Sequence, residues 1–409
     1  MTIDRDPVPP RPLPEDPKSR AAAIPGSPPD RASTPIGRLI ARWSGVNYRA
    51  LGLALVVGAV GGSIFAYFQV PLAWMIGAMV FTATFAIASA GLNGPIIKVP
   101  KGLRAGMVMI LGIMLGSAFT PDILDQLDRW AITLVGLVPY ILVCLAVGLA
   151  YMRLVVRVDP VTAYFTAAPG GFNEMILQGA ANGGDERTIA LTHSARVMTV
   201  VITLPVLIQL GHGFTPTGER APIGPGLFEI SVLDYGLLAL CVIGAPIGKL
   251  LRLPAAQLTG PMILSAVIHL AGLTDGKPPL VFVAVAQIVV GSAIGCRFAG
   301  VSVRRVLAIL AGSLGLTVVL LGVTVGFAWA LNAITGIPIL YLVLAYAPGG
   351  LAEMSLVALA LGADAAFVSI HHIVRIVLVI AFAPLIFLTL RHWIDRRRPP
   401  AASTQAGED

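Results

Sequence analysis

Long apolar runs separated by short polar stretches make up most of the chain between residues 48 and 391. Runs such as LGLALVVGAVGGSIFAYF and WAITLVGLVPYILVCLAVGLAYM reach the roughly 20 residues that an α-helix needs to cross a hydrocarbon core of about 30 Å. The pattern therefore predicts an all-α polytopic membrane protein whose principal partner is the lipid bilayer.

Composition supports this class and excludes others. Of 409 residues, 56% are hydrophobic and 12% are charged, which is too apolar for a soluble globular protein of this length. The formal net charge is +7, but the basic residues lie in tails and short loops, where they set membrane orientation. We expect no direct nucleic-acid partner. The three cysteines show no paired spacing, so neither a disulfide framework nor a metal or other cofactor is predicted.

Two apolar segments are interrupted by nearly the same string, APGGFNEM at 168–175 and APGGLAEM at 347–354. The offset is 347 − 168 = 179 residues. At this offset, several later residues of the first copy also meet an identical residue in the second. They are Leu177, Ala181, Gly183, Asp185, His193, Arg196, Val200 and Pro205. Such internal self-similarity in a membrane protein is typical of duplicated helical bundles.

The similarity continues upstream of the interrupted segments. GIMLGSAF at 112–119 aligns with GSAIGCRF at 291–298, and VPLAWMIGAM at 70–79 aligns with LPAAQLTGPM at 253–262 after a small shift. We therefore predict two membrane repeats, an external linker, a proline-rich disordered cytoplasmic tail, and a basic, then disordered, cytoplasmic tail. The repeats are 48–210 and 234–391, and the linker is 211–233. The proline-rich tail is 1–47, and the basic tail is 392–409.

Loop charges predict that the repeats face opposite ways, because Lys and Arg in short loops mark the cytoplasmic side. In the first repeat, basic residues follow the second and fourth apolar segments. In the second, they follow the first and third. The residues are Lys98, Lys101, Arg104, Arg153, Arg157, Lys249, Arg252, Arg297, Arg304 and Arg305. With both termini cytoplasmic, each inverted repeat must cross the membrane an odd number of times.

Each repeat nevertheless contains six apolar segments, so one of them does not cross. The arms on either side of each APGG string are too short to span alone. We predict about five crossings plus one broken or re-entrant helical hairpin per repeat, ten crossings in all. The alternative is an interrupted spanning helix, with another segment lying at the interface. Both place the APGG glycines near the middle of the membrane.

Irregular backbone at membrane depth persists only when it is buried in protein or faces a water-filled cavity. The prolines and glycines that would shape it are Pro169, Gly170, Gly171, Pro348, Gly349 and Gly350. Each break begins a new helical arm, whose N-terminus carries partial positive charge and attracts anions. Ionisable residues follow each break: Glu174, Asp185, His193 and Arg196 in the first copy, and Glu353, Asp364, His371, His372 and Arg375 in the second.

Ionisable groups inside a membrane usually face a bundle interior or a substrate path. Histidine and arginine three residues apart share a helical face. We therefore expect Arg196 and Arg375 to bind an anionic solute. Four carboxylates facing two arginines leave negative charge that a transported proton or sodium ion would balance, so the predicted coupling residues are Glu174, Asp185, His193, Glu353, Asp364 and His372.

Structural alternatives remain open for these residues. Glu174 and Arg196, or their counterparts, would form buried ion pairs that lock helices together, and Asp185 and Asp364 would be helix caps. At the level of the whole protein, a membrane sensor would use the same cavity but open it to one side only. The sequence also leaves open a homo-oligomer. No catalytic residues are predicted, and a secondary transporter rather than an enzyme is expected.

The duplicated APGG…EM block followed by D…H…R resembles the bacterial AbrB duplication family of inner-membrane proteins. The resemblance covers both repeats and implies a multi-pass protein of the bacterial inner membrane. Members are labelled as ammonia monooxygenases or as regulators of gene expression. Oxygenation at copper or iron needs several converging His or carboxylate ligands, so we do not expect the first activity. The second implies an indirect effect on transcription through a metabolite.

Overall fold

Helices are the only regular secondary structure in the residues that the computed structural model describes, 47–91, 94, 96–211 and 224–396. Within these residues, eight helices are long and apolar enough to cross a membrane. The predicted all-α membrane class is therefore confirmed. Most of the predicted tail 1–47, the linker residues 212–223 and the tail from residue 397 onward lie outside the described residues.

The helices of the first repeat begin directly after Asn47, whose side chain caps the first of them by accepting from Ala50 N at 3.1 Å. A 3₁₀ turn, Pro121–Gln126, precedes the fourth helix, and a π-helical turn, Met152–Val156, extends it. The helices are α1 (Tyr48–Tyr67), α2 (Ala73–Gly91), α3 (Lys101–Gly116), α4 (Leu127–Tyr151), α5 (Pro160–Ala167), α6 (Phe172–Ala181) and α7 (Glu186–Gly211).

The same order of long and short helices follows in the second repeat. They are α8 (Val232–Leu240), α9 (Gly244–Leu250), α10 (Ala256–Leu270), α11 (Leu280–Gly295), α12 (Val303–Thr335), α13 (Ile339–Tyr346), α14 (Leu351–Ala360) and α15 (Ala365–Arg396). A short 3₁₀ turn joins α8 to α9, and together they correspond to α1. The last helix extends past the predicted boundary at 391.

Crossing length distinguishes two of these helices from the others. Outside the interrupted segments, α3 has 16 residues and α10 has 15, which is shorter than the roughly 20 that a perpendicular crossing needs. The remaining long helices, counting α8 and α9 as one, are the eight candidate spans. The prediction of ten crossings therefore depends on α3 and α10, for which it stays a prediction.

Each APGG string lies at the tip of a folded-back helical pair. In the first, the backbone N–H of Asp185 donates to Thr162 Oγ1 at 2.8 Å, and His193 Nε2 lies 2.9 Å from Phe165 O. These contacts show that α5 and α7 run parallel, so the intervening α6 must run back. His372 and Leu344 make the corresponding contact at 3.0 Å in the second pair. We call these pairs hairpin 1 (α5 and α6) and hairpin 2 (α13 and α14).

Two pairs of glycines allow helices of the two repeats to pack closely against each other. A Cβ at Gly112 of α3 would lie 2.4 Å from the carbonyl oxygen of Leu258 in α10, so the helix backbones touch. In the counterpart contact, a Cβ at Gly291 of α11 would lie 2.4 Å from the carbonyl oxygen of Met75 in α2. Gly116 and Gly295 repeat this one turn later. Small residues four apart permit such close helix packing in membranes.

The corresponding helices α4 and α12 pack against each other in opposite directions. Near the start of α4, Gly136 contacts Leu331, close to the end of α12. Further along, Tyr140 Oη lies 3.0 Å from Thr324 Oγ1. At the other end of α4, the Tyr151 side chain reaches the backbone of Gly315. Residue numbers thus rise along α4 as they fall along α12.

Candidate functional site

Arg375 of α15 binds the open end of α13. The last carbonyl groups of a helix have no partner within it and carry partial negative charge. Arg375 Nη1 donates to Tyr346 O at 3.1 Å and Ala347 O at 2.5 Å, and Nη2 donates to Gly349 O at 2.9 Å. The side chain is only 1% exposed. Arg375 therefore donates to three backbone carbonyl groups at the break in hairpin 2.

Arg196 of α7 occupies the equivalent place in hairpin 1 with fewer bonds. Its Nη1 donates to Thr166 O at 3.2 Å, and the residue is 2% exposed. Both predicted arginines are therefore buried, and each binds carbonyl groups at its own hairpin tip.

A histidine accompanies each arginine on the same helical face, as the three-residue spacing predicts. Arg196 Nη2 donates to His193 Nδ1 at 2.9 Å, and Arg375 Nη2 donates to His372 Nδ1 at 3.0 Å. Because arginine has no acceptor, each Nδ1 must be unprotonated. Each Nε2 then donates to a backbone carbonyl, Phe165 O or Leu344 O. Both imidazoles are neutral while these bonds are intact.

The buried arginines lack acidic partners. Asp185 pairs with Arg305, and no acid whose side chain the structure describes lies within 4.0 Å of Arg196 or Arg375. The alternative of a Glu174–Arg196 ion pair is therefore wrong, and none of the four predicted carboxylates forms an ion pair with either arginine. Their coupling role stays a prediction. The buried Nε atoms of Arg196 and Arg375 have no hydrogen-bond partner. The centre carries positive charge that the hairpin carbonyls offset only in part.

Glu174 and Glu353 lie in the first turns of α6 and α14, directly after the two breaks. A helix N-terminus favours negative charge at this position. Glu353 is 8% exposed, whereas Glu174 is half-buried. Thus each hairpin carries a carboxylate beside its tip, separate from the arginine that binds the other arm.

Both predicted aspartates cap helices. Asp185 Oδ1 accepts from Arg187 N at 3.0 Å and Thr188 N at 3.1 Å at the start of α7. Asp364 Oδ1 accepts from Phe367 N at 2.9 Å at the start of α15. Because the Asp185 N–H also donates to Thr162 in the first turn of α5, this aspartate lies at the end of hairpin 1 opposite to the tip.

The identical APGG strings have different backbone conformations. Ala168 and Ala347, which precede the prolines, are both extended, with ψ values of 126° and 136°, and this ends α5 and α13. Gly171 then takes φ +63° and ψ 41°, but its counterpart Gly350 has φ −82° and ψ 155°. Only the first break requires a left-handed residue at the start of its second arm.

Tyr140 is a central residue that the sequence reasoning missed. Its hydroxyl donates to Tyr346 O at 2.6 Å, the same carbonyl that Arg375 binds. Tyr346 in turn donates to Thr133 O. Tyr140 stands out in the sequence as a polar residue within the apolar run of α4, but that run predicted only a membrane-spanning helix. These bonds tie α4 to the tip of hairpin 2.

Arg297, immediately after α11, is a second missed residue. Its Nη1 donates to Ser194 Oγ at 3.1 Å, and its guanidinium carbon lies 4.0 Å from the ring centroid of Phe172, the first residue after the tip of hairpin 1. Within the described residues, no group of three or more His, Cys, Asp or Glu side chains is arranged to hold a metal ion.

Comparison with known proteins identifies related sequences over most of the chain. A family model described as "Transition state regulatory protein AbrB" matches residues 74–391. A Bacillus subtilis (strain 168) protein named "Uncharacterized protein YhjN" is 28% identical over 376 residues, covering 85% of this chain and 95% of that protein. An Escherichia coli (strain K12) protein named "Putative regulator AbrB" is 27% identical over 335 residues, covering 80% and 93%.

Proposed function

The chain belongs to the AbrB family of transition state regulatory proteins, and we propose that it is a secondary transporter that moves a small anionic solute together with a proton or sodium ion. The carrying observation is the pair of buried arginines at two hairpin tips, neither of which has a carboxylate of a described residue within 4.0 Å. In known secondary transporters, discontinuous helices form substrate sites near the middle of the membrane.

Inverted topology is part of this proposal. It is supported by the opposite directions of α4 and α12 and by the reciprocal glycine contacts between the repeats. It also places the basic loops on one side, since Val156 at the end of α4 contacts Gly312 near the start of α12. The positive-inside rule makes that side cytoplasmic and puts both termini there, in the bacterial inner membrane.

Solute binding would alter the hairpin tips directly. Most N–H groups of Arg375 already bind carbonyls or His372, and the free Nε is the donor left for a solute. An anion that recruits further N–H groups must replace a hairpin carbonyl. Occupancy therefore favours a different position of the tip, and this differential interaction is what alternating access requires. The glycines and prolines of the two breaks permit the rearrangement.

Ion coupling is assigned to groups beside the same tips. A proton on Nδ1 of His372 would face the Arg375 guanidinium and break their hydrogen bond, so protonation and arginine geometry are linked. His193 has the same relation to Arg196. Glu174 and Glu353 supply carboxylates that bind a proton or sodium ion in the first turns of α6 and α14. Asp185 and Asp364 contribute by holding the helix ends.

Flux into proteoliposomes tests the proposal. Uptake of a panel of labelled organic acids is measured with and without an imposed pH or sodium gradient. Gradient-dependent uptake is expected for the wild type, reduced at least tenfold by Arg375→Gln and Arg196→Gln. Arg153→Gln is the matched control, because this exposed side chain donates only to Val158 O. Absence of gradient-dependent flux for the whole panel would contradict transport.

Accessibility separates transport from the regulatory role that the name of the E. coli relative suggests. Cysteine is placed at Gly170 or Gly349 in a background without Cys144, Cys241 and Cys296. Alternating access predicts labelling from both faces of the membrane, with solute changing the ratio. Labelling from one face only, insensitive to solute, would favour a sensor.

A further inference from the structure

A cavity of about 250 Å³ lies beside the tip of hairpin 1. It is lined by Phe172 and Ile176 of α6, by Arg187, Ala190 and Leu191 of α7, and by Arg297. Phe172 directly follows the glycine that turns the hairpin. Arg187 is exposed and Arg297 half-buried, so the cavity opens at the surface near the start of α7.

Two guanidinium groups give this cavity its charge. Arg187 Nη2 donates to Gly300 O at 2.7 Å, and Arg297 Nη1 donates to Ser194 Oγ. Each bond holds its side chain in place and uses one of the N–H groups of that guanidinium. No described carboxylate lies within 4.0 Å of either guanidinium. The cavity therefore favours an anion.

The other walls are apolar. Phe172, Ile176, Ala190 and Leu191 present a ring and aliphatic groups, so a ligand needs a hydrocarbon part as well as a charge. The volume is below the roughly 300–1,000 Å³ of sites for drug-sized ligands. A fully hydrated inorganic anion would leave the apolar wall unused, whereas an uncharged chain would leave the guanidinium groups unused.

The two arginines of this cavity have no counterparts at the 179-residue offset. At the offset of 179 residues, Arg187 corresponds to Ala366 and Arg297 corresponds to Ala118. The hairpins and their arginines are duplicated, but this pair of cations occurs once. Because this pair of arginines is not duplicated, the cavity is distinct from the two hairpin arginines. It lies on the side of the basic loops.

We infer that this cavity is a binding site for a short-chain organic carboxylate, with Arg187 and Arg297 holding the carboxylate and the apolar wall holding the chain. The inference rests on the proposed function, for which it names the solute class and the side on which the solute first binds. The guanidinium fork matches a carboxylate geometrically. Binding also displaces Arg297 from the Phe172 ring, which links the ligand to the hairpin tip.

Calorimetry on the detergent-purified full-length chain tests the site with sodium butyrate, sodium hexanoate, sodium phosphate and 1-hexanol at equal ionic strength. We expect hexanoate to bind more tightly than butyrate, and phosphate and hexanol to bind at least tenfold more weakly than hexanoate. Arg297→Gln and Arg187→Gln should each weaken hexanoate binding at least tenfold. Arg297→Lys, which keeps the charge but not the fork, should fall between, and Arg153→Gln should match the wild type.

Phosphate or hexanol binding as tightly as hexanoate would overturn the inference, and so would unchanged hexanoate affinity in both glutamine variants. Arg187 is exposed, so its variant is expected to fold even if Arg297→Gln does not. Flux in proteoliposomes without carboxylate binding at this cavity would refute the inference and leave transport standing. Arginine-dependent carboxylate binding without flux of any acid would support the inference and contradict transport.

Discussion

Arg375 donates from Nη2 to Nδ1 of His372 across 3.0 Å. The two residues lie one turn apart on α15, and both also bind the backbone of α13, through Tyr346 O and Leu344 O. The pair therefore attaches a long helix to a broken one using side chains alone. Arg196 and His193 make the corresponding attachment with fewer bonds.

Removing each arginine should reveal this difference. Arg375 donates to three hairpin carbonyls and Arg196 to one. Each hydrogen bond from a charged donor contributes about 1.5–3 kcal/mol, although Tyr346 O keeps Tyr140 and Ala347 O keeps Gly349 N as donors. We expect Arg375→Gln to lower the thermal denaturation midpoint in detergent more than Arg196→Gln does. Equal midpoints, or the opposite order, would contradict the assigned bonding.

Glycine-to-alanine substitutions in α3 should have opposite signs. A Cβ at Gly112 would lie 2.4 Å from Leu258 O, whereas Gly106 of the same helix has open space. Alanine raises helix propensity by about 1 kcal/mol over glycine, so Gly106→Ala should stabilise slightly. Gly112→Ala must separate α3 from α10 and should destabilise by about 1–3 kcal/mol. Chemical denaturation of the two variants against the wild type measures the difference.

The same pair of experiments in the second repeat provides a control for the interlocking contact. Gly291→Ala should behave as Gly112→Ala does, since its added Cβ would meet Met75 O at 2.4 Å. Gly322 of α12 has open space and should tolerate alanine. Stabilisation by Gly112→Ala or Gly291→Ala would refute close packing between the repeats.

Adjacent glycines of hairpin 1 should also differ. Gly171 has φ +63°, where an L-residue costs about 1–2 kcal/mol. Gly170 has no positive φ, and an added Cβ there would make only ordinary contacts, the nearest at 3.7 Å. Gly171→Ala should therefore lower the free energy of unfolding by about 1–2 kcal/mol, and Gly170→Ala should change it little. Similar losses for both variants would mean that crowding, not backbone conformation, selects glycine.

Acidification should remove the contribution of Asp185. Burial opposes its ionisation, but hydrogen bonds from Thr188 and Arg187 and the charge of Arg305 outweigh this and lower its pKa. A lowered folded-state pKa gives stability that is present above the unfolded value of about 3.9 and is lost as the pH falls through the folded value. The stability difference between wild type and Asp185→Asn should therefore shrink as the pH falls below about 4.

The size of that contribution should be small. Both side chains of the Asp185–Arg305 pair are nearly half exposed, at 43% and 45%. Exposed ion pairs contribute about 0–1 kcal/mol. In a double-mutant cycle with Asp185→Asn and Arg305→Gln, we expect coupling within that range. A growing difference between wild type and Asp185→Asn on acidification would reverse the assigned sign.

Features that depend on local sequence were predictable. The apolar runs predict the all-helical membrane class, and the 179-residue offset locates two equivalent breaks. A spacing of three residues places His193 beside Arg196 and His372 beside Arg375 without any knowledge of the tertiary fold. Helical periodicity alone fixes these relationships, since residues three apart are neighbours on one face.

The partners of these side chains were not predictable, because they depend on which distant segments meet. Charge counting paired the arginines with carboxylates, but folding brings them to the open carbonyls of broken helices. Tyr140 meets Tyr346 O across 206 residues, and Arg297 meets Ser194 across 103. Identical APGG strings even differ in backbone conformation. Sequence by itself determined the helices, the duplication and the places where the backbone breaks. Tertiary structure decided what satisfies each break, because unpaired buried carbonyls take the nearest strong donor, whatever its distance along the chain.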